Sequence, residues 1–219
     1  LDMRMNLKEG RARANYSGNL TLHDFDLGAW TGNTDFGKVT FTSEVINGSG
    51  LTGETVNAIM VANIEHFNFK GYDYKNAFLE GDLRWNRFNG AFSIGDENID
   101  FGFRGEINLS GGVPTYEFSA SINKIDLKDL NLAEKDLTLS GDITLDLRNS
   151  TLADLEGQAR VTRFNILHNQ EQRYEVDSIV LSSRFLDSQG NKAFAIRSDV
   201  LQADLEGRFD IQQVPEALI

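Results

Sequence analysis

The amino-acid sequence predicts an all-β protein, and three observations lead to this prediction. Apolar and polar residues alternate along most of the 219 residues, as they do in strands that bury one face. No window sustains the 3.6-residue period of an amphipathic helix. Twenty glycines accompany only two prolines, which suits many strands joined by short turns. We therefore predict one continuous antiparallel sheet over residues 1–219, with few or no helices.

About thirteen stretches follow the alternating pattern. In the clearest of them, 137–147, Leu139, Ile143 and Leu145 fall on one side of the strand, and Asp142 and Thr144 fall on the other. The predicted strands are 3–7, 12–22, 38–46, 55–69, 77–85, 88–94, 99–109, 115–122, 136–147, 157–167, 174–185, 193–198 and 200–211.

Only three short segments are candidates for helices: Asp24–Trp30, Asp126–Leu132 and Ser150–Leu155. Each is one or two turns long, so none could cover a broad sheet. The alternation of strands and long helices that characterises a parallel, doubly wound fold is absent. Hairpins are therefore expected to connect most of the strands.

A second pattern consists of glycine, polar, apolar, polar and apolar residues in that order. In each copy the glycine is in phase with the apolar residues, and a glycine on the inner face lets a sheet curl toward that side. Ordinary β-bulges in a sandwich would give the same pattern, so both interpretations remain open. The copies are Gly18–Leu22, Gly37–Phe41, Gly81–Trp85, Gly90–Ile94, Gly105–Leu109, Gly141–Leu145, Gly157–Val161 and Gly207–Ile211.

A long sheet with one continuous apolar face must keep that face from water, and helices cannot do so here. A second sheet could cover it, in a sandwich or a barrel, or the same sheet could fold around an apolar groove. Thirteen strands spaced at about 4.8 Å would make such a groove about 60 Å long.

Four stretches of the sequence resemble the middle region of TamB-like proteins of the Bacteroidetes type, which belong to the wider AsmA-like group. The similarity lies in the phase of the apolar residues and in the glycine and turn residues. The stretches are LTGETVNAIMVANIEHFNFKGYDYKNAFLEGDL (51–83), FNGAFSIGDENIDFGFRGEINLSGGVPTYEFSASINKIDLKDLNL (88–132), LTLSGDITLDLRNSTLADLEGQARV (137–161) and IRSDVLQADLEGRFDIQQVP (196–215).

This resemblance implies a strongly curved, taco-shaped sheet or open tapered barrel around an apolar groove. It implies a periplasmic segment of a longer protein that is anchored in the inner membrane by a part outside this chain. The implied function is transport of phospholipid, or of other hydrophobic cargo, to the outer membrane. Assembly of outer-membrane proteins beside a TamA-type barrel is the related role.

The resemblance also assigns the groove lining to the inward apolar positions. They are Leu83, Trp85, Phe92, Ile94, Phe101, Phe103, Ile107, Leu109, Leu139, Ile143, Leu145, Leu205 and Phe209.

The residues themselves point to no enzyme, cofactor or metal. Cysteine is absent, and His23, His66 and His168 stand far apart without metal-ligand spacing. The acidic run 95–100 falls between two strands, where a hairpin turn is a better interpretation than a calcium loop. The net charge of −12 disfavours nucleic acid as a partner. A β-sandwich binding or adhesion module is the alternative function, and a hydrolase is the least favoured.

Overall fold

A computed structural model describes residues 2–51, 55–149 and 154–208. The described chain forms one antiparallel sheet of thirteen strands, in which every strand pairs with its neighbours in sequence, in the order β1 to β13. The sheet is open, since it does not close into a barrel, and helices contribute almost nothing. The predicted all-β fold with hairpin connections is therefore confirmed, and the described strands do not form the two sheets of a sandwich.

The strands are β1 Asp2–Asn6, β2 Asn15–Asp26, β3 Phe36–Ser49, β4 Asn57–Phe69, β5 Tyr72–Arg84, β6 Arg87–Gly95, β7 Ile99–Asn108, β8 Thr115–Asp126, β9 Leu137–Arg148, β10 Glu156–His168, β11 Gln172–Phe185, β12 Lys192–Ser198 and β13 Gln202–Gly207. The last predicted strand, 200–211, ends outside the described residues.

Of the three helix candidates, one forms a helix. Helix α1, Leu27–Thr31, follows β2, and the Asp26 carboxylate caps it by accepting a hydrogen bond from the Ala29 N–H over 2.8 Å. The candidate at Asp126–Leu132 forms turns instead of a helix. Most of Ser150–Leu155 lies outside the described residues.

Several strands are longer than predicted because the alternating pattern changes phase within them. Strand β5 begins at Tyr72 instead of residue 77, and Asn76 within it has φ +53°. Apolar residues at 72 and 74 therefore share a face with those at 77 and 79, although the numbering changes from even to odd. A register shift between Ile122 and Ile125 likewise extends β8 to Asp126.

Glycines allow adjacent strands to approach each other on one face. A Cβ atom added at Gly90 would collide with the Glu80 carbonyl oxygen and would lie 2.6 Å from the Gly81 Cα. Gly105, which is paired with Gly90, has φ +142°, a conformation that other residues rarely adopt. The neighbouring backbone thus fills the space that a side chain would take at these positions.

We predict that Gly90→Ala destabilises the fold by about 1–3 kcal/mol, because the new methyl group must displace backbone atoms of β5. Urea unfolding followed by circular dichroism measures the change. Gly102→Ala is the matched control, since a Cβ at Gly102 meets no atom within 4 Å and should leave the free energy of unfolding nearly unchanged. Equal effects of the two substitutions would contradict the close approach at Gly90.

Candidate functional site

One face of the sheet is apolar across its whole width. Residues that pair directly on adjacent strands line up in rows that run perpendicular to the strands. The row nearest the β5–β6 turn, the edge row, crosses all thirteen strands, and Ser183 is its one residue that is neither apolar, glycine nor tyrosine. The edge row is Met5, Tyr16, Gly48, Ala58, Leu83, Phe88, Ile107, Tyr116, Leu147, Gly157, Ser183, Phe194 and Leu205.

Two further rows of the same face lie beside the edge row. The glycine row crosses β2 to β13 and comprises Gly18, Val45, Met60, Gly81, Gly90, Gly105, Phe118, Leu145, Ala159, Leu181, Ile196 and Ala203. The aromatic row crosses β2 to β11 and comprises Leu20, Ser43, Ala62, Leu79, Phe92, Phe103, Ala120, Ile143, Val161 and Ile179.

Most of the predicted groove residues lie on this apolar face. Seven belong to the three rows: Leu83, Ile107, Leu205, Leu145, Phe92, Phe103 and Ile143. Ile94, Phe101 and Leu139 continue the same face toward the opposite strand ends. Trp85 and Leu109 lie just beyond β5 and β7, where they are 44% and 45% exposed. Phe209 is outside the described residues.

The far end of the apolar face is covered by the loop between β8 and β9. Leu130 of this loop is fully buried and packs in a cluster with Tyr74, Ala77, Ile94 and Ile99. The loop is held in place by the Leu130 N–H, which donates to the Asp126 carbonyl oxygen over 3.1 Å.

The same loop also reaches the turn between β4 and β5. There the Asn131 side chain donates a hydrogen bond to the Lys70 carbonyl oxygen over 3.1 Å. The loop therefore covers the apolar face only at the ends of β5 to β8.

The remainder of the apolar face is only partly covered. Large side chains of the aromatic row, such as Phe92, Phe103 and Ile143, are half-buried, and the five-residue α1 is too short to lie across the rows. The accessible surface of the 24.5 kDa chain is 13665 Å². A compact monomer of this mass exposes about 10000 Å². The excess surface agrees with a single sheet whose apolar face is not packed against a second layer.

Tyrosines on the apolar face are held in their neutral form. Burial raises the pKa of Tyr16, and burial followed by the nearby Asp96 carboxylate raises the pKa of Tyr74. Burial is also the largest cause that raises the pKa of Tyr72 to about 12. These phenols therefore add no charge to the apolar face at neutral pH.

The opposite face, the polar face, carries charged residues that form ion pairs. Arg87 donates a 2.6 Å hydrogen bond to the Glu106 carboxylate, and this bond lowers the pKa of Glu106. Arg163 pairs with Asp142 on the same face. This face also contains a row of mostly small polar side chains, the polar row. It comprises Thr21, Thr42, Asn63, Phe78, Ser93, Gly102, Ser121, Asp142, Thr162 and Ser178.

Two shallow depressions lie on the polar face. Their volumes are about 360 and 500 Å³, and Phe78 lines both of them. Neither is lined mainly by the edge, glycine or aromatic rows. The apolar groove itself therefore stays a prediction.

The described residues bring together no group of three histidine, aspartate or glutamate side chains that could hold a metal ion. The acidic run 95–100 forms a turn, as predicted, in which the Asp96 carboxylate accepts hydrogen bonds from the N–H groups of Asn98 and Ile99. Within the described ranges, no helix has the length and hydropathy that crossing a lipid bilayer requires.

Sequence reasoning did not identify Leu130 as a core residue, because it lies in a short helix candidate outside the alternating strands. Phe118, Leu181 and Ile196 were placed in predicted strands but were not assigned to the groove. The signal that would have found them is the pairing register, since all three lie in the glycine row, which also contains the assigned Leu145.

Comparison of this chain with protein-family models, with curated proteins and with solved structures finds no match.

We predict that Leu130→Ala lowers the free energy of unfolding by about 2–5 kcal/mol, because it opens a cavity in a fully buried cluster. Chemical denaturation measures the loss. The control is Leu132→Ala, in the same loop but 42% exposed, which should change stability by no more than about 0.5 kcal/mol. A neutral Leu130→Ala would show that the loop does not cover the strand ends in solution.

Proposed function

We propose that this chain is a non-enzymatic, lipid-handling segment of a TamB-like protein of the bacterial envelope. In this proposal the chain lies in the periplasm and offers an apolar path for phospholipid, or other hydrophobic cargo, on its way to the outer membrane. The anchor in the inner membrane and the contact with a TamA-type barrel belong to other parts of the parent protein.

The observation that supports the proposal best is the continuity of the apolar rows. The edge row crosses thirteen strands, and at about 4.8 Å per strand it is about 60 Å long. Isolated apolar patches would suffice for packing against a small partner. A continuous row instead offers apolar contacts to an acyl chain on every strand along the sheet.

The chemistry of the rows also suits acyl chains. Each methylene that leaves water contributes about 0.8 kcal/mol, so a hydrocarbon tail binds an apolar surface without specific polar contacts. The half-buried side chains of Phe92, Phe103 and Ile143 leave apolar surface for such contacts. The tyrosines of this face, whose pKa burial raises, are themselves uncharged at neutral pH.

The loop that holds Leu130 covers one end of the proposed path at β5 to β8, near Ile94 and Ile99. At the edge row, β5 and β6 are joined by a turn of only two residues, Trp85 and Asn86, which is too short to cover the rows. Lipid would therefore enter and leave along the edge row beside this turn, with its headgroup toward water and its tails toward the aromatic row.

We predict that Ile143→Glu and Phe103→Glu each reduce bound lipid, because a carboxylate in the aromatic row makes the path unfavourable for acyl chains. The measurement is the amount of phospholipid that co-purifies with the chain, determined by mass spectrometry. Uptake of a fluorescent fatty acid by the purified chain gives a second measurement.

Thr144→Glu is the matched control, since Thr144 adjoins Ile143 but is exposed on the polar face. Phe103→Leu keeps the row apolar and should retain lipid. Circular dichroism verifies that each variant folds. If folded Ile143→Glu and Phe103→Glu carry as much lipid as the Thr144→Glu control, the apolar rows are not the lipid path and the proposal fails.

A further inference from the structure

The two depressions that Phe78 lines on the polar face form one trough, from Asn63 on β4 to Ser121 on β8. We propose that this trough is a binding site for a neutral carbohydrate chain, with the Phe78 ring stacked against a sugar ring. This site lies on the face opposite the apolar rows, so the proposal does not rest on the proposed lipid function.

The position of Phe78 is the first observation. Phe78 alternates with Ala77 and Leu79 of the apolar face, so its ring lies on the polar face, directly opposite Asn63 on β4 and Ser93 on β6. Phe88, Phe92 and Phe103 on the neighbouring strands all pair with other aromatic rings. Among the described residues no aromatic ring pairs with Phe78, which is half-buried and joins the two depressions.

Small side chains on one flank of Phe78 leave the ring accessible. Beyond Ser93 the polar row continues with Gly102 and Ser121. A Cβ at Gly102 would meet no atom within 4 Å, so this part of the trough is open. A sugar ring could therefore lie over the small residues, with one of its faces against the Phe78 ring.

Hydrogen-bonding side chains without a protein partner lie along the trough. Within the described part of the chain, the side chains of Asn63, Ser93 and Ser121 make no hydrogen bond to another protein group. The trough also contains Glu80 and Arg104, which are exposed and carry opposite charges. Amide, hydroxyl, carboxylate and guanidinium groups along one trough together offer the donors and acceptors that the hydroxyl groups of successive sugars require.

The surroundings disfavour other classes of polymer. The chain has a net charge of −12, and Glu80 and Asp142 adjoin the trough, so a polyanion would be repelled. An extended peptide could not add a strand here, because β5 to β9 are inner strands whose backbone groups already pair on both sides. An acyl chain would prefer the opposite face. Of these classes of ligand, a neutral, hydroxyl-rich carbohydrate chain suits the trough best.

The test is isothermal titration calorimetry of the full chain with neutral hexasaccharides of glucose and of N-acetylglucosamine. Amide chemical shifts of Ser93, Gly102 and Ser121 locate the binding. We expect Phe78→Ala to weaken binding by about tenfold or more, because the stacking platform is lost. We expect Gly102→Leu to weaken it similarly, because the added side chain fills the trough while its backbone stays unstrained.

Phe88→Ala is the matched control, since it removes a phenyl ring from the apolar face of the adjacent strand, lines neither depression and should leave the affinity unchanged. Binding to no oligosaccharide would overturn the proposal. So would binding that both Phe78→Ala and Gly102→Leu leave intact, or a preference for heparin or for an unfolded polypeptide over the neutral sugars. Loss of sugar binding in Leu145→Glu but not in Phe78→Ala would place the site on the apolar face and reject the proposal, because Leu145 lines neither depression.

Discussion

The structure depends on the lateral register of its thirteen strands. Because side chains alternate between faces, a shift of one residue in any pair would move apolar residues to the polar face and break every row. The unbroken edge row, from Met5 to Leu205, therefore reflects twelve pairings that all agree. Short turns such as Asn86, which has φ +53°, fix the register of individual hairpins. Register, more than any buried core, thus defines the two faces.

The sequence predicts the strands well because each one repeats the same two-residue period. Strands β6, β7 and β9 begin and end within about two residues of their predicted bounds. Where a left-handed residue inverts the phase, as at Asn76, the pattern breaks although the strand continues, and the beginning of β5 is missed. The loop with Leu130 fails for a different reason. Its burial depends on Tyr74, Ile94 and Ile99, which are distant in sequence, so local periodicity carries no information about it.

The candidate site follows from the sequence only in part. Alternation assigns Phe92, Phe103, Ile143 and Leu145 to one face, and the pairings place them in adjacent rows of that face. Which strand pairs with which is a property of the tertiary structure. Alternation within each strand does not determine it. Phe78 is the reverse case, because it breaks the alternating rule as an apolar residue on a polar face. Such local exceptions to the folding pattern are where function is expected.

The strictly consecutive order of the strands also makes the sheet extensible. Each strand depends on the two beside it and on little else, so stability is close to a sum of neighbour terms along one dimension. Inserting one hairpin at a turn would lengthen the rows by about 10 Å and leave the remaining pairings as they are. The width of such a sheet can therefore change during evolution in steps of two strands, while the pairing of the other strands stays the same.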